Sequence, residues 1–488
     1  MSDDPVPDCK ECRSAPPVWM RVSACFALVV GAALRLCFYR WFPQIQGDAE
    51  VYGDLAKNLV LHGQLALSDP SGQIHASLIR LPGYPLFMAL CFRLFGMENY
   101  WAVVAMQTAL DAFACLLMAD TARRIAQAIT QRRTGRMEAC WGAAILTLWL
   151  AELCPFTAIY VSAPLTEGPT LFCIALAMWS ALRFQDSPRD ASGWRYALLF
   201  TFAVAWAALL RPDGALFAIA FAPALLTNRT RQALGAARLA RMGAVCALLA
   251  LAPFALWTGR NARVFHVFEP LAPRYASDPG DSSDLGFEHW AATWTLDFVN
   301  TVEVYWPVPG ASVEIRFVPQ RAWSNPHDDD RLRQILLAYN EGGYQTTDSM
   351  NHALDTIAAR NLAAHPWRCR LAIPLGRVAD MWLRPRVENL PIDLDWWVYA
   401  HHHYETIFSW SYAALNLIFL GVGFAGWALK PRLWLAMALY ILLRSLLLAT
   451  VEGPEARYTI EFFPMLIVCG GVWLGLHLPR AKQTRNQR

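Results

Sequence analysis

Four stretches of the chain bring together residue types that can move protons and hold anions. "QGDAEVYGDLAKNLVLHGQ", from Gln46 to Gln64, carries Asp48 and Glu50, and "IRLPGYPLFMALCFRLFG" carries Arg80 just before Pro82, Gly83 and Tyr84. "YVSAPLTEGPTLF" holds Glu167, and "EGPEARYTIEFFP" holds Glu455, Arg457 and Tyr458. A carboxylate within hydrogen-bond reach of a hydroxyl can take its proton. A guanidinium can grip two oxygens of a phosphate, and the grip strengthens as negative charge grows there. The set therefore suits base chemistry beside anion binding.

The elements that must position these groups can be read from periodicity. After Asp48, Val51, Leu55 and Leu59 recur every four residues with Tyr52 and Ala56 beside them, which predicts an amphipathic helix on a membrane surface. Asp48 stands at its start, where an aspartate also suits an N-cap, so a structural and a chemical reading are both open. Glu50 lies two residues on and is turned away from Asp48 on a helix. Arg80 can serve an anion or snorkel to lipid headgroups, and Glu167 can touch substrate or simply start a helix.

A membrane is expected from composition: 56% apolar residues, 21 Trp and only 17% charged residues. A membrane-crossing helix needs about 20 mostly apolar residues. Ten segments approach this: Val22–Phe42, Tyr100–Ala122, Glu138–Ile159, Pro164–Leu182, Tyr196–Leu210, Ala215–Thr227, Met242–Trp257, Ile407–Leu429, Leu433–Val451 and Phe462–Leu478. Arginine clusters fall in alternate connections, at Arg123 to Arg136, Arg183 to Arg195, Arg229 to Arg241, Lys430 and Arg432, and the C-terminal tail. Basic loops stay cytoplasmic, so both termini are expected in the cytoplasm. The resulting organisation is a tail at 1–21, a membrane module at 22–258 with a first outer loop at 43–99, an outer domain at 259–405, further spans at 406–478 and a tail at 479–488.

The segment 259–405 has 13 Lys and Arg against 19 Asp and Glu, and its later part shows helical spacing. Cys369 is the one cysteine there, so no disulfide framework is indicated, and Cys9-x-x-Cys12 lacks the partners of a zinc site. "HHHYE" at His401 to Glu405 and "PHDDDR" around Asp328 to Asp330 fit an interfacial segment and a helix start better than metal sites. The tryptophans of "DWW" and "MWL" suit an interfacial belt, with sugar stacking second. There is no glycine-rich phosphate loop, internal repeat or nucleic-acid module, so no nucleic-acid partner is expected. No cofactor is required, and no paired-carboxylate site indicates a divalent metal.

Taken in order, "GDAEVYGDLAKNL", "RLPGYPLFMAL", "APLTEGPTLFCIAL", "LLRPDGALF", "WTGRNARVFHVFEPL" and "PEARYTIEFFP" carry a family resemblance. The chain resembles the bacterial polyprenyl-phosphate-sugar-dependent glycosyltransferases of the GT-C superfamily, relatives of protein O-mannosyltransferases and of lipid A aminoarabinose transferases. The likeness runs from about Val22 to Leu478 and weakens between Ala276 and Asn361. It implies an all-α polytopic membrane protein, a GT-C bundle of about ten transmembrane helices with amphipathic first-loop helices and a mainly helical periplasmic domain. It further implies inverting transfer of a sugar from a polyprenyl-phosphate donor to an acceptor outside the cytoplasm. On this resemblance Asp48 matches the general base, Arg80 the cation that binds the lipid phosphate and Arg457 a second one. Glu50, Tyr84, Glu167 and Tyr458 are then expected at substrate, although Ala49 separates Glu50 from the position of the mannosyltransferases' second acid. A lipid-linked-glycan transporter or flippase, or a ligase or polymerase using a diphosphate-linked donor, remains the alternative.

Overall fold

A computed structural model describes residues 15–136, 138–186, 191–281, 284–323 and 326–478. Cys9, Cys12, Arg189, Arg480, Lys482, Arg485 and Arg488 lie outside the described residues. The chain is helical almost throughout, with one two-stranded hairpin among the described residues. Each of the ten apolar segments contains a helix.

Among the described residues, six helices are by length and composition apolar enough to cross a membrane: Val18–Trp41, Tyr100–Thr134, Gly193–Leu210, Ala236–Val264, His403–Trp427 and Ala456–His477. The expectation was about ten spans, and each of the ten segments is helical, but fewer pass this test of length as single helices. The third apolar segment is two helices, α5 (Trp141–Glu152) and α6 (Pro155–Val161), bent by 56° at the break, which together make a seventh span if counted as one. Pro155 at the first position of α6 explains the break, because proline lacks the N–H that α5 would need to continue. Pro212–Leu225 and Trp434–Leu448 are shorter apolar helices, below the length that spans a bilayer unaided.

The chain forms two compact units. The first comprises Met1–Ala272, Leu417–Tyr440 and Glu461–Arg488. Within it run α1 (Val18–Trp41), α2 (Asp48–His62), α3 (Gly83–Phe95), α4 (Tyr100–Thr134) and α7 (Glu167–Asp186). Between α2 and α3, β1 (Ala66–Ser68) pairs antiparallel with β2 (Ile74–Ala76). The hairpin is tied to α2: Asn58 Nδ2 donates to the Ala66 carbonyl at 2.9 Å, and Asp54 accepts from the Ser68 hydroxyl at 2.9 Å.

The interior of this unit holds a charge cluster at the break. Arg35 of α1 donates from Nε to Asp111 Oδ2 of α4 at 2.6 Å, and its Nη1 lies 3.2 Å from Glu152 Oε2. Nη1 also donates to the Glu152 carbonyl at 3.0 Å, so the guanidinium serves the last turn of α5, whose carbonyls have no continuing helix to bond. Gly31 lets α1 approach this closely, since a Cβ there would fall 1.8 Å from Glu152 Oε2. Removing one partner of a buried charge set typically costs about 3–5 kcal/mol. Arg35→Leu is therefore expected to abolish recovery of monodisperse protein in detergent. Adding Asp111→Asn and Glu152→Gln should restore much of it; a single variant as stable as the wild type in a thermal melt would contradict this account.

The second unit comprises Pro273–Asn416 and Ile441–Ile460 and is mainly helical. Its core is built on Trp290, Leu336, Tyr339, Leu354 and Ile357, drawn from the helices Leu285–Ala292, Pro326–Glu341 and Asp348–Ala364, with Trp294 added from the turn after the first. Cys369, expected as an outer thiol, is buried in this unit with its Sγ 3.6 Å from the Thr293 carbonyl, so it offers no handle to a reagent.

Beside that core, Glu288 accepts a hydrogen bond of 2.7 Å from the Tyr305 hydroxyl. Burial pushes the Glu288 carboxyl up to about 7, with Glu452 and Asp284 adding to the rise and Arg274 opposing it. The folded protein thus holds this proton more tightly than the unfolded chain, and the associated stability is lost as pH rises from the ordinary carboxylate range through about 7. Glu288→Gln keeps an acceptor for Tyr305 and has no charge to bury. It is expected to melt about 2–6 °C above wild type at pH 8 and level with it at pH 5; equal melting temperatures at pH 8 would refute the assignment.

Candidate active site

Helix α2 begins at Asp48 itself, with Gly47 at the N-cap at a positive φ of 58°. The N-cap reading of Asp48 is therefore corrected. Its carboxylate reaches across 32 residues of sequence to Arg80, whose Nη2 stands 2.6 Å from Oδ1. Arg80 also donates from Nη1 to the Ile79 carbonyl at 3.2 Å, and its guanidinium lies 5.9 Å from the centroid of the Tyr52 ring. Both members of the pair stay partly open, the Asp48 side chain at 28% and that of Arg80 at 24% exposure, so substrate can reach them. Glu50 points outward and is exposed, as its two-residue offset from Asp48 requires.

Several groups fix this corner. Arg260 donates to the Ser77 carbonyl at 2.9 Å and to the Leu65 carbonyl at 2.8 Å, pinning both ends of the hairpin just before Arg80. Leu78 and Leu81, on either side of Arg80, pack with Trp257 in a buried cluster, so the main chain there is anchored while the guanidinium is left accessible. On the other flank, Ala49 packs with Ala163 and Leu165, in the turn between α6 and α7. Gln107 of α4 holds that turn by donating to the Val161 and Ala163 carbonyls at 2.8 and 2.7 Å, and Tyr84 donates to Gln107 Oε1 at 2.5 Å. Tyr84 was expected at substrate. It is fully enclosed and its hydroxyl is spent on Gln107, so it acts here as a brace.

Glu167 opens α7 and is 1% exposed. Its Oε1 meets Arg211 Nη1 at 3.0 Å, and Arg211 Nε lies 3.3 Å from both Asp213 Oδ1 and Glu461 Oε1. The Tyr440 hydroxyl donates to the other Glu461 oxygen at 2.7 Å. Three carboxylates thus share one guanidinium, at low exposure. Tyr52 connects the two charge groups: its ring meets Tyr84 edge-on at 4.9 Å, and burial pushes its hydroxyl up to about 12, with Arg80, Asp48, Glu167 and Arg211 the charges that act on it.

In the second unit, Arg457 and Tyr458 form a set with Glu455. Arg457 Nε is 2.7 Å from Glu455 Oε2, and the Tyr458 hydroxyl donates to Oε1 at 2.6 Å. Two buried arginines hold the backbone beneath them: Arg386 Nη1 donates to the Ala456 carbonyl at 2.8 Å and Arg444 Nη2 to that of Tyr458 at 3.0 Å. In the same unit His402 lies 3.4 Å from Asp393 and 3.2 Å from Asp395, the one trio of potential metal ligands so arranged among the described residues.

Of the residues singled out in the sequence, Asp48 and Arg80 are in contact and Glu167 meets Arg211; Gln107, Arg211, Arg260 and Glu461, which complete these contacts, were not among the expected site residues. A signal existed for Glu461, an acid inside the apolar run "TIEFFP", where an ionisable group is costly unless paired.

No family model and no curated protein matches the chain. Among solved structures it is similar to an oligosaccharyltransferase from Archaeoglobus fulgidus tethered with an acceptor peptide, at 12% identity and a TM-score of 0.48, over 94% of this chain and 49% of that one. It is also similar to ArnT from Cupriavidus metallidurans bound to undecaprenyl phosphate, at 15% identity and a TM-score of 0.38, over 95% of this chain and 79% of that one. The chain thus spans about half the length of the oligosaccharyltransferase.

Proposed function

We propose that the chain is a membrane glycosyltransferase that moves a sugar from a polyprenyl-phosphate donor to an acceptor hydroxyl on the periplasmic side of a bacterial inner membrane, with inversion. The observation that carries this reading is the Asp48–Arg80 pair, 2.6 Å apart and partly open at the start of α2. The ordered sequence motifs around both residues support it. So does the arginine bias of alternate loops for the orientation, with both termini cytoplasmic.

In this reading the acceptor hydroxyl oxygen bonds to the anomeric carbon as the bond from that carbon to the phosphate oxygen breaks. The electron pair leaves on the phosphate, and the hydroxyl proton passes to Asp48. Arg80 meets the charge that grows on the phosphate, so the step needs no metal. In-line displacement puts base and leaving group on opposite faces of the sugar, so the contact between Asp48 and Arg80 belongs to the resting site and the donor parts them. The phosphate competes for Arg80, and Asp48 is released towards the acceptor. Glu167 and Tyr84 support the site from beneath, since both are enclosed and engaged by Arg211 and Gln107. The reading rests on the first unit alone.

The test is mass spectrometry of envelope glycans and lipids from cells with and without the intact chain. Loss of one sugar from one class of glycan or lipid, restored by the chain, is expected. An unchanged envelope, or a lipid-linked glycan trapped on the cytoplasmic side, would favour a transporter instead.

A further inference from the structure

The second unit contains a cleft of about 850 Å³ away from the Arg457 set. One wall is a pair of indoles: Trp396 and Trp397 meet edge to face at 5.8 Å and 80°. Trp397 is 49% exposed. Trp396 is 8% exposed, and its indole N–H, although buried, has no hydrogen-bond partner among the described residues.

The platform is rigid. The Trp396 carbonyl accepts from the Thr406 hydroxyl, its ring meets Trp410 edge-on at 5.9 Å, and His402 lies between Asp393 and Asp395 on the same turn. Rigidity of this kind lowers the ordering cost of binding.

Opposite the indoles stand Asp380 and Arg384, at the end of the helix Ile373–Leu383, together with Asp297. Their charges are answered locally: Arg384 is 3.2 Å from Asp380 and 2.7 Å from Glu388, and Arg321 is 3.2 Å from Asp297. The charged residues that line the cleft itself are two acids, Asp297 and Asp380, and two arginines, Arg316 and Arg384, so its own formal charges cancel. It offers hydrogen-bond donors and acceptors facing indole surfaces, and the electron-rich face of an indole attracts the polarised C–H bonds of a sugar ring. Apolar walls with a few convergent polar groups are the usual composition of a small-ligand site.

We propose that this cleft binds a neutral, hydroxyl-rich saccharide, the glycan portion of the acceptor. Its role as acceptor site rests on the transfer reading above; the binding itself does not. Trp397 supplies the stacking face, and Asp380 and Arg384 the hydroxyl contacts.

The test uses the purified full chain in phosphatidylcholine nanodiscs. Intrinsic tryptophan fluorescence is titrated with neutral tetrasaccharides of glucose, mannose, galactose and N-acetylglucosamine. Saturable binding of at least one is expected. Trp397→Ala and Asp380→Asn should each weaken it by about 10-fold or more, and Trp397→Phe by less, with melting temperatures unchanged in the two Trp397 variants. No binding of any of the four at about 10 mM, or equal binding by wild type and Trp397→Ala, would overturn the proposal and leave Trp397 as a headgroup anchor. An active Asp48→Asn variant would sink the transfer reading while leaving this one standing, so the two failures are distinguishable.

Discussion

Asp48→Asn is expected to lower sugar transfer by about 10²–10⁴-fold while the protein inserts and melts as the wild type does. Asparagine keeps the size of the side chain and can still accept from Arg80, but it cannot hold a proton taken from the acceptor. Because Gly47, not Asp48, holds the N-cap position of α2, the change leaves the N-cap residue in place. A second readout follows from the ion pair. The donor phosphate must displace Asp48 from Arg80, so neutralising the carboxylate removes the competitor, and the variant is expected to bind polyprenyl phosphate more tightly than wild type. Slower transfer with tighter donor binding is a combination that a purely structural aspartate does not produce. Transfer within about threefold of wild type would take Asp48 out of the mechanism.

Arg80 gives the opposite pattern. Arg80→Ala deletes the phosphate's cation and leaves Asp48 without its partner, and transfer is expected to fall by about 10²–10³-fold with weaker donor binding. Arg80→Lys keeps the charge but not the planar fork that holds two oxygens, so it should retain partial activity. An unchanged dissociation constant for polyprenyl phosphate in Arg80→Ala would reduce Arg80 to a lipid-headgroup contact. The variant's fold is protected by the cluster of Leu78, Leu81 and Trp257 and by Arg260, none of which depends on the Arg80 side chain.

The amphipathic helix after Asp48 was readable because its pattern is local: Leu55 and Ala56 are buried on the face that the four-residue spacing defines. The chemistry at its start was half readable. Residue type and motif order pointed to Asp48 and Arg80 separately, yet no local pattern shows that a loop and a hairpin bring them into contact. Arg211 looked like the partner of its neighbour Asp213, and only the packing of α7 brings Glu167 to it, with Glu461 on the same guanidinium. Hydropathy also averaged over the break at Leu153 and Cys154, where a single proline outweighs the apolar character of both flanks. Cys369 shows a further limit: its polar surroundings in sequence gave no sign that helix packing would bury it.

The guanidinium that stitches α1 to the end of α5 bears on how the chain is made. Arg35, Asp111 and Glu152 leave the ribosome at well separated times, and each alone is a charge in a segment bound for hydrocarbon, at about 2.5–3.5 kcal/mol for Arg or Asp near mid-helix. Only when the third has emerged can all be answered together. The N-terminal helix therefore has no complete partner set until more than a hundred further residues have been translated, and the residue that completes it, Glu152, stands at the edge of the bend before Pro155.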